Sequence, residues 1–353
     1  MLPTEPIGSI PRPIELMEAV RAHQQGALSS EKLRTHYDRA LRDTIESLEA
    51  TGSPVIVDGE QTKPSFATYP IEGLEVLAPD GITIPFEDGH TRQLPRLTAG
   101  PFHYQRYADT YLEQAQRYAS VPVKQAVIAP SALSLLYPDE GVDGYPREAF
   151  IEDLLDEAET DIRRCLAQGA HIVQLDFTEG RLAVKLDPSH QLLAAFIDLN
   201  QRLLARFSDD ERSRIGVHTC PGSDQDAAHS LDADYAELLP SLLQLEAASF
   251  YIQLASEQDR VRVLGIISQH VRPHQRIFVG VIDPIDPRIE TADEVRDRVL
   301  EAAEFIPLDQ LGTCDDCGFA PFGDDTSTPR ETAFAKIRAR VEGTRLASDQ
   351  LGA

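Results

Sequence analysis

One stretch of the chain, residues 148–176, reads EAFIEDLLDEAETDIRRCLAQGAHIVQLD and combines a helix pattern with a strand pattern. Apolar side chains recur at three- and four-residue spacing from Phe150 to Leu166, which predicts an amphipathic helix over 148–168 that ends at Gly169. The run 171–176 is mostly apolar on both faces, as is typical of a strand buried in a parallel sheet. The stretch therefore predicts one helix–strand unit of an α/β fold.

Apolar runs of this kind recur along the chain, separated by further helical patterns. They are 54–58, 96–99, 124–129, 171–176, 214–219, 248–253, 276–282 and 305–312. Eight alternating strand and helix units match the (β/α)8 TIM barrel, so we predict an α/β fold of that class. An open doubly wound sheet is the alternative, but its usual glycine-rich fingerprint, GxGxxG or GxxxxGKS/T, is missing.

A single barrel accounts for the whole chain, because barrels with insertions run from roughly 200 to over 400 residues. We predict one domain over 1–353 in which residues 1–50 form an N-terminal helical cap, with helices at 14–25 and 30–49. A hairpin excursion is predicted over 61–95, after the first strand, around Ala78-Pro79-Asp80-Gly81.

The composition excludes several classes of function. Asp and Glu number 58 against 33 Lys and Arg, and the resulting formal charge of −25 repels phosphate backbones and anionic bilayers. No stretch approaches the ~20 apolar residues of a membrane span, and the N-terminus lacks a secretory signal pattern. Four cysteines in a chain of this length do not form a disulfide framework. We expect a cytoplasmic protein that binds neither nucleic acid nor membrane.

Polar side chains cluster where the predicted strands end, which is the active face of a barrel. His218 and Cys220 lie two apart on a strand, so both side chains point to one side. Imidazole and thiolate bind zinc, and Cys314 or Cys317 would add a third ligand and leave a fourth position open, as in catalytic zinc sites. The alternatives are a fortuitous His–Cys pair, cysteines that pack as small hydrophobes, and a redox role for the CxxC pair.

Two carboxylates, Glu60 and Asp176, follow apolar runs at the same predicted face. Either side chain could capture an ammonium group in the barrel mouth. Either could instead form a salt bridge at the rim, with Arg12, Lys63 or Arg181 as partner. Their positions at strand ends favour the functional interpretation.

Five segments together carry a family resemblance: Gly8-Ser9-Ile10-Pro11-Arg12, Asp58-Gly59-Glu60, Val173-Gln174-Leu175-Asp176, His218-Thr219-Cys220 and Asp316-Cys317-Gly318. In order and spacing they resemble the catalytic C-terminal barrel of cobalamin-independent methionine synthase, a zinc (β/α)8 barrel related to uroporphyrinogen decarboxylase. The resemblance runs from about residue 7 to about residue 340. The large N-terminal half of the two-barrel enzyme has no counterpart, so the chain looks like a short, stand-alone core form.

The resemblance implies a zinc enzyme that methylates the thiol of homocysteine. His218, Cys220 and Cys317 would be the zinc ligands, with Cys317 rather than Cys314 in the matching position. Glu60 and Asp176 would hold the amino group of homocysteine, and the backbone around Ser9 would hold its carboxylate. Zinc would lower the pKa of the thiol, so that a thiolate attacks the methyl carbon in line.

Two positions depart from the family pattern. Gln253 stands where the long enzyme has a Glu as fourth zinc ligand, and it is a candidate ligand here. Ile285 stands where the family has its proton-donating His, so Asp283 or Asp286 would have to supply the acid that a tertiary-amine donor such as methyltetrahydrofolate requires. A sulfonium, a corrinoid or another activated methyl donor would not require that acid.

We therefore expect a zinc-dependent S-methyltransferase that converts homocysteine to methionine, with a small-molecule methyl donor as second substrate. A partner protein or a homo-oligomer is left open. Another zinc-thiolate alkyltransferase or a thioether lyase is the alternative enzyme, although Glu60 and Asp176 favour an amino-acid thiol. A metal-free decarboxylase-like barrel and a non-catalytic zinc- or thiol-binding barrel are less favoured. The charge of −25 argues against a poly-carboxylate substrate.

Overall fold

The computed structural model describes residues 1–353 and contains twelve strands. The strands are β1 (Leu77–Ala78), β2 (Thr83–Pro85), β3 (Thr91–Gln93), β4 (Arg96–Leu97), β5 (Gln125–Ile128), β6 (Val173–Asp176), β7 (Ile215–Thr219), β8 (Ser223–Asp224), β9 (Ala227–Ala228), β10 (Ser249–Ile252), β11 (Arg276–Ile282) and β12 (Leu311–Asp315). The α-helices are α1 (Ile14–Gln24), α2 (Ser30–Glu49), α3 (Asp109–Gln116), α4 (Pro130–Leu133), α5 (Arg147–Ala167), α6 (Glu179–Leu186), α7 (Gln191–Leu204), α8 (Asp209–Arg212), α9 (Tyr235–Leu242), α10 (Arg260–His270), α11 (Ala292–Ala303) and α12 (Arg330–Leu351).

A six-stranded parallel sheet forms the centre of the molecule, in the order β12-β11-β10-β7-β6-β5. Helices separate its consecutive strands along the chain, as a parallel sheet requires. Nearly every residue of these strands is buried, which explains why their sequences are apolar on both faces. Five of the predicted strand runs, from 124–129 to 276–282, are confirmed, and the run at 305–312 lies early because β12 begins at Leu311.

The two edges of this sheet are extended by short parallel contacts with the N-terminal part of the chain. Ile56 bridges to Val123 beside β5, and Thr4 bridges to Thr313 of β12. The two added segments also meet each other, because the Ile10 amide donates to the Gly59 carbonyl at 3.0 Å. The wall therefore runs through eight parallel segments, and the predicted (β/α)8 barrel class is confirmed.

The composition of that wall corrects two expectations. Residues 96–99 do not form a barrel strand, because β4 pairs antiparallel with β1 outside the wall. The first ten residues do not belong to a cap, because the segment around Thr4 is a wall segment instead. Prolines at 3, 6 and 11 interrupt this segment and hide its strand character in the sequence, although Leu2, Ile7 and Ile10 are buried.

The excursion after the first wall segment contains a β-hairpin whose turn lies later in the chain than predicted. β2 and β3 pair antiparallel, and the hairpin turns at residues 86–90, where the Phe86 amide donates to the His90 carbonyl at 2.9 Å. Residues 78–81, the predicted turn, instead lie where the chain passes from β1 to β2.

Helices cover the outside of the sheet and bury one stripe each. α5 buries Phe150, Leu154, Leu155, Ile162 and Cys165, the face predicted from its spacing. The helices predicted at 14–25 and 30–49 are confirmed as α1 and α2, with ends within one residue of the expected ones. Most buried apolar side chains form one cluster of 73 residues, so one main core holds the sheet and its helices together, and a second cluster contains four residues. No helix is both long and apolar enough to cross a membrane.

Candidate metal centre and substrate cavity

Two cysteine side chains and one histidine side chain lie close together at the carboxyl ends of β7 and β12. His218 lies in β7, Cys220 follows that strand directly, and Cys317 follows β12. Their ligand atoms all lie within 4.8 Å of one another, and the two sulfur atoms are 3.1 Å apart. All three side chains are buried. The structure thus brings together the residues that sequence reasoning assigned to zinc.

The hydrogen bonds of this group leave one ring nitrogen of His218 free for a metal. The imidazole Nδ1 of His218 lies 3.2 Å from the Tyr251 carbonyl and donates to it, whereas Nε2 is buried without a partner. This bond selects the tautomer whose Nε2 lone pair can bind a metal. A hydrogen bond from the Cys220 thiol, with help from His218, holds the pKa of Cys317 well below its ordinary value. One imidazole and two thiols with a fourth position open fit Zn²⁺.

The other two cysteines lie outside the group. Cys314 lies within β12 and donates to the Phe278 carbonyl at 3.4 Å, in a small apolar cluster with Ile7 and Tyr251. Cys165 packs in the main core on α5. Residues 314 and 317 therefore do not act as a CxxC pair, because only Cys317 faces His218 and Cys220.

The candidate ligand Gln253 is bound elsewhere. Its side-chain oxygen accepts a hydrogen bond from the Arg181 guanidinium at 2.9 Å, and its amide nitrogen donates to Ser256. A buried guanidinium beside that oxygen opposes the approach of a divalent cation. In this structure Gln253 is thus a partner of Arg181, which does not favour it as a metal ligand.

The predicted amino-group carboxylates face the same cavity as the metal ligands. Asp176 ends β6 in register with His218 of β7, and Glu60 follows the Ile56 wall segment. Glu60 has a φ of 55°, a left-handed conformation that is costly for a residue with a side chain. The conformation is held by two bonds: the Glu60 amide donates to Asp58, and the Glu60 carbonyl accepts from Arg12 at 2.8 Å.

Burial governs the charge of both carboxylates. It raises the pKa of Glu60 to about 7, against the opposing effect of Lys63. It also raises the pKa of Asp176, against the opposing effect of His218 and of a hydrogen bond from Gln174. Backbone strain and buried charge concentrated at one place are typical of functional sites.

The predicted carboxylate-binding segment also lines the cavity. Gly8 and Ser9 are part of its wall, and the Ser9 hydroxyl accepts from the Ala320 amide at 3.1 Å. A further bond joins the Phe319 amide to the Ser9 carbonyl at 2.9 Å. Ser9 therefore ties the N-terminal wall segment to the loop that carries Cys317.

The two predicted acids lie away from this cavity. Asp283 accepts from the Ile285 amide at 3.0 Å, and Asp286 is partly exposed and accepts from the Arg288 amide at 2.9 Å. Neither carboxylate lines the cavity. A proton donor must lie within hydrogen-bond reach of the reacting group, so these positions do not favour Asp283 or Asp286 as the acid.

The cavity itself has a volume of about 260 Å³ and a mainly apolar wall. Its apolar contributors come from the barrel loops and from the hairpin: they include Phe66, Ile84, Phe86, Leu94, Ile128, Leu133, Leu135, Leu182 and Phe322. A pocket with this lining and a few convergent polar groups is the usual form of a small-molecule site.

Glu179 is a cavity residue that sequence reasoning did not single out. It lies at the first position of α6, one Oε atom accepts from the Ser131 hydroxyl, and the other is buried without a partner. Burial raises the pKa of Glu179 to about 8, with a contribution from the charge of Asp176. Glu179 is therefore mainly protonated at neutral pH. The sequence signal that could have identified Glu179 is its position three residues after the end of β6, at the active face of the barrel.

The hairpin closes the cavity by an ionic contact with the loop after Cys220. The Arg92 guanidinium donates to Asp224 at 3.0 Å and to Asp324 at 2.9 Å, and His90 lies 3.0 Å from the same Asp224. The Phe86 ring stacks on His90, and the Glu87 amide donates to the Ala228 carbonyl at 3.0 Å. Asp224 is buried, so this contact is stronger than an exposed ion pair.

Comparison with known proteins gives this arrangement a family. A sequence model of the family described as "Cobalamin-independent synthase, Catalytic domain" matches residues 2–343. The chain belongs to this family. The predicted family resemblance is thereby confirmed, and the chain is a member of an enzyme family.

Individual relatives are distant but extensive. The methionine synthase of Sulfurisphaera tokodaii is 23% identical over 99% of this chain and 94% of that protein. The 5-methyltetrahydropteroyltriglutamate–homocysteine methyltransferase of Syntrophotalea carbinolica is 25% identical over 90% of this chain but only 40% of that protein. The chain therefore spans nearly all of the first relative and about two fifths of the second.

Two solved structures share the fold along almost the whole chain. A B12-independent methionine synthase from Shewanella sp. W3-18-1, in complex with selenomethionine, gives a TM-score of 0.77 at 21% identity over 99% of both chains. A putative vitamin-B12 independent methionine synthase from Listeria monocytogenes gives a TM-score of 0.68 at 21% identity over 98% of this chain and 96% of that chain.

Proposed function

We propose that the protein transfers a methyl group to the thiol of homocysteine and forms methionine, with Zn²⁺ held by His218, Cys220 and Cys317. The observation that carries the proposal is that these three buried ligand residues and the two carboxylates Glu60 and Asp176 line one cavity. The names of the relatives, a methionine synthase and a homocysteine methyltransferase, support the same reaction. We also propose a cytoplasmic location, because all four cysteines are free and thiols persist in reducing compartments.

The acceptor end of the cavity matches an amino-acid thiol. Glu60 and Asp176 supply negative charge for an ammonium group, and Glu60 keeps one oxygen free of protein partners. When bound, Zn²⁺ lowers the pKa of the acceptor thiol, so that a thiolate is present at neutral pH. The protein holds that sulfur at a defined position and excludes water with the hairpin, so the reaction gains from alignment.

Glu179, rather than Asp283 or Asp286, is placed to act as the general acid. It is protonated at neutral pH, it lines the cavity, and its second oxygen has no partner. We propose that Glu179 passes its proton to the nitrogen of a tertiary-amine donor as the methyl group moves to sulfur, and that water reprotonates it. This acid favours a donor such as methyltetrahydrofolate over a sulfonium, whose leaving group departs without a proton.

Purification with zinc quantitation, followed by incubation with homocysteine and a panel of methyl donors, tests the proposal. We expect about one zinc per chain and methionine, identified by its mass, with a tertiary-amine donor. A protein without stoichiometric zinc refutes the proposal and favours a decarboxylase-like barrel. Zinc without any homocysteine-dependent product favours a binding barrel, and a product from a different thiol favours another zinc-thiolate alkyltransferase.

A further inference from the structure

A buried lysine lies directly behind Glu60. The Lys63 Nζ is 3.3 Å from Glu60 Oε1 and donates to the Ala126 carbonyl at 3.1 Å. It also faces two aromatic rings, at 4.9 Å from the centroid of Tyr69 and 5.4 Å from that of Tyr111. The Lys63 side chain has no exposed surface. An ammonium group buried this deeply persists only when it is paired, so Lys63 and Glu60 form one ionic unit.

The two oxygens of Glu60 have different surroundings. Oε1 is bound to Lys63, whereas Oε2 is buried and has no partner in the protein. Glu60 is also part of the cavity wall. Leaving a buried carboxylate oxygen unpaired is costly, and an ammonium group from a ligand would satisfy it. Glu60 Oε1 is therefore bound within the protein, whereas Oε2 is available to a ligand.

The charges around Glu60 make Lys63 necessary. Burial is the main cause that raises the pKa of Glu60, and the carboxylates of Asp58 and Asp176 raise it further. Lys63 is the main opposing charge. Arg12 is the other cation that opposes them, but its guanidinium donates to the backbone carbonyls of four residues: Glu60, Lys63, Ala320 and Phe322.

We propose that Lys63 is a positioning residue for the acceptor: it favours the ionised form of Glu60 and leaves the second Glu60 oxygen free for the acceptor's amino group. Lys63 itself acts through Glu60 and does not touch the acceptor. The identity of the acceptor as an amino-acid thiol rests on the proposed function. The role predicts that Lys63 contributes to discrimination between thiols with and without an amino group.

The test compares the binding of two thiols to the zinc-loaded protein by calorimetry between pH 6.5 and 8.5. The first is homocysteine, and the second is 4-mercaptobutanoate, which has the same thiol and carboxylate but no amino group. The wild type is expected to prefer homocysteine. Removing an adjacent opposite charge raises a carboxylate pKa by about 1–3 units, and since Glu60 starts at about 7, one unit lowers its ionised fraction at pH 7 about fivefold and two units about fiftyfold.

Lys63→Met and Lys63→Gln should each reduce the preference for homocysteine over 4-mercaptobutanoate at pH 7 by about fivefold or more. The preference should return as the pH rises through the raised pKa of Glu60, because the carboxylate is the charged form. Binding of 4-mercaptobutanoate should stay unchanged. If Lys63 had a purely structural role, its substitution would weaken the binding of both thiols equally, and that result would overturn the proposal. Lys63→Gln retains a donor for the Ala126 carbonyl and covers the case in which the methionine variant does not fold.

Lys336→Met is the matched control. Lys336 is another wholly buried lysine, paired with Glu290 at 2.8 Å outside the cavity wall. It should lose stability yet keep the preference, and loss of the preference here would overturn the proposal. If the wild type prefers homocysteine and the Lys63 variants lose that preference, but no methionine forms, the role of Lys63 is supported and the proposed reaction is refuted. Wild-type protein that forms methionine without preferring the amino group refutes the role of Lys63 alone.

Discussion

Replacing Glu179 with glutamine tests whether a neutral carboxyl group acts in this cavity. Glutamine preserves the shape of the side chain and can still bond to Ser131, but it cannot release a proton. General acids contribute roughly 10²–10⁴-fold to rate, so Glu179→Gln should slow methyl transfer from a tertiary-amine donor by about that factor. Transfer from a sulfonium donor should change little, because no proton is needed.

The pH profile follows from the charge of Glu179. With a pKa of about 8, about nine in ten copies of the side chain are protonated at pH 7 and about one in ten at pH 9. The wild-type rate with a tertiary-amine donor should therefore fall about tenfold per pH unit above 8. This alkaline limb should be missing from the variant, whose residual rate no longer depends on that proton.

The same carboxyl group should make the fold less stable at neutral pH. Its pKa is raised from an ordinary 4.5 to about 8, so between these values the folded protein keeps a proton that the unfolded chain has released. Stability is therefore lost as the pH rises from about 4.5 to about 8. At pH 7 the loss covers 2.5 pH units at ~1.4 kcal/mol each, which sets an upper limit of about 3–4 kcal/mol.

Urea unfolding at pH 5, 7 and 9, with kinetics on the same samples, measures both effects. Glu179→Gln should gain stability relative to wild type at pH 7 and 9, and much less at pH 5. Asp283→Asn is the control, since it removes a carboxylate outside the cavity and should leave the methyl-transfer rate within a few-fold. A Glu179→Gln variant with the wild-type rate and the wild-type alkaline limb would refute the reasoning.

Further substitutions address the metal group, the hairpin and the loop that follows Cys220. Cys220→Ser and Cys317→Ser should each lose bound zinc, measured by elemental analysis, whereas Cys314→Ser should keep it; zinc loss in the last variant would contradict the ligand set. Arg92→Gln removes the guanidinium from Asp224 and Asp324, so amide exchange in residues 77–97 should accelerate; unchanged exchange would show that apolar contacts alone hold the hairpin. Gly222→Ala should destabilise the fold by about 1–3 kcal/mol in urea unfolding, because φ is +68° and an added Cβ would lie 1.8 Å from His229 Nε2; an unchanged midpoint would mean that His229 moves away at little cost.

Much of the fold could be predicted from short segments of the sequence. The parallel strands from β5 to β11 are short apolar runs, and their flanking helices carry three- and four-residue spacing, so both patterns survive in any window of sequence. The exceptions have a physical cause. The N-terminal wall segment pairs through single bridges and is broken by prolines, and the apparent strand at 96–99 is paired within the hairpin.

The sequence by itself determined the strand ends where Glu60, Asp176, His218 and Cys220 lie, because polar residues that follow buried strands mark the active face of a barrel. The residue pattern alone left Cys314 and Cys317 open, and the family resemblance implied Cys317. Only the folded chain binds Gln253 to Arg181, leaves Asp283 and Asp286 outside the cavity and places Glu179 in its wall. Those outcomes depend on distances between side chains far apart in sequence: Cys220 and Cys317 are 97 residues apart, yet their sulfur atoms lie within 3.1 Å. Local patterns predict which strand a residue follows, whereas three-dimensional packing sets which atoms then meet.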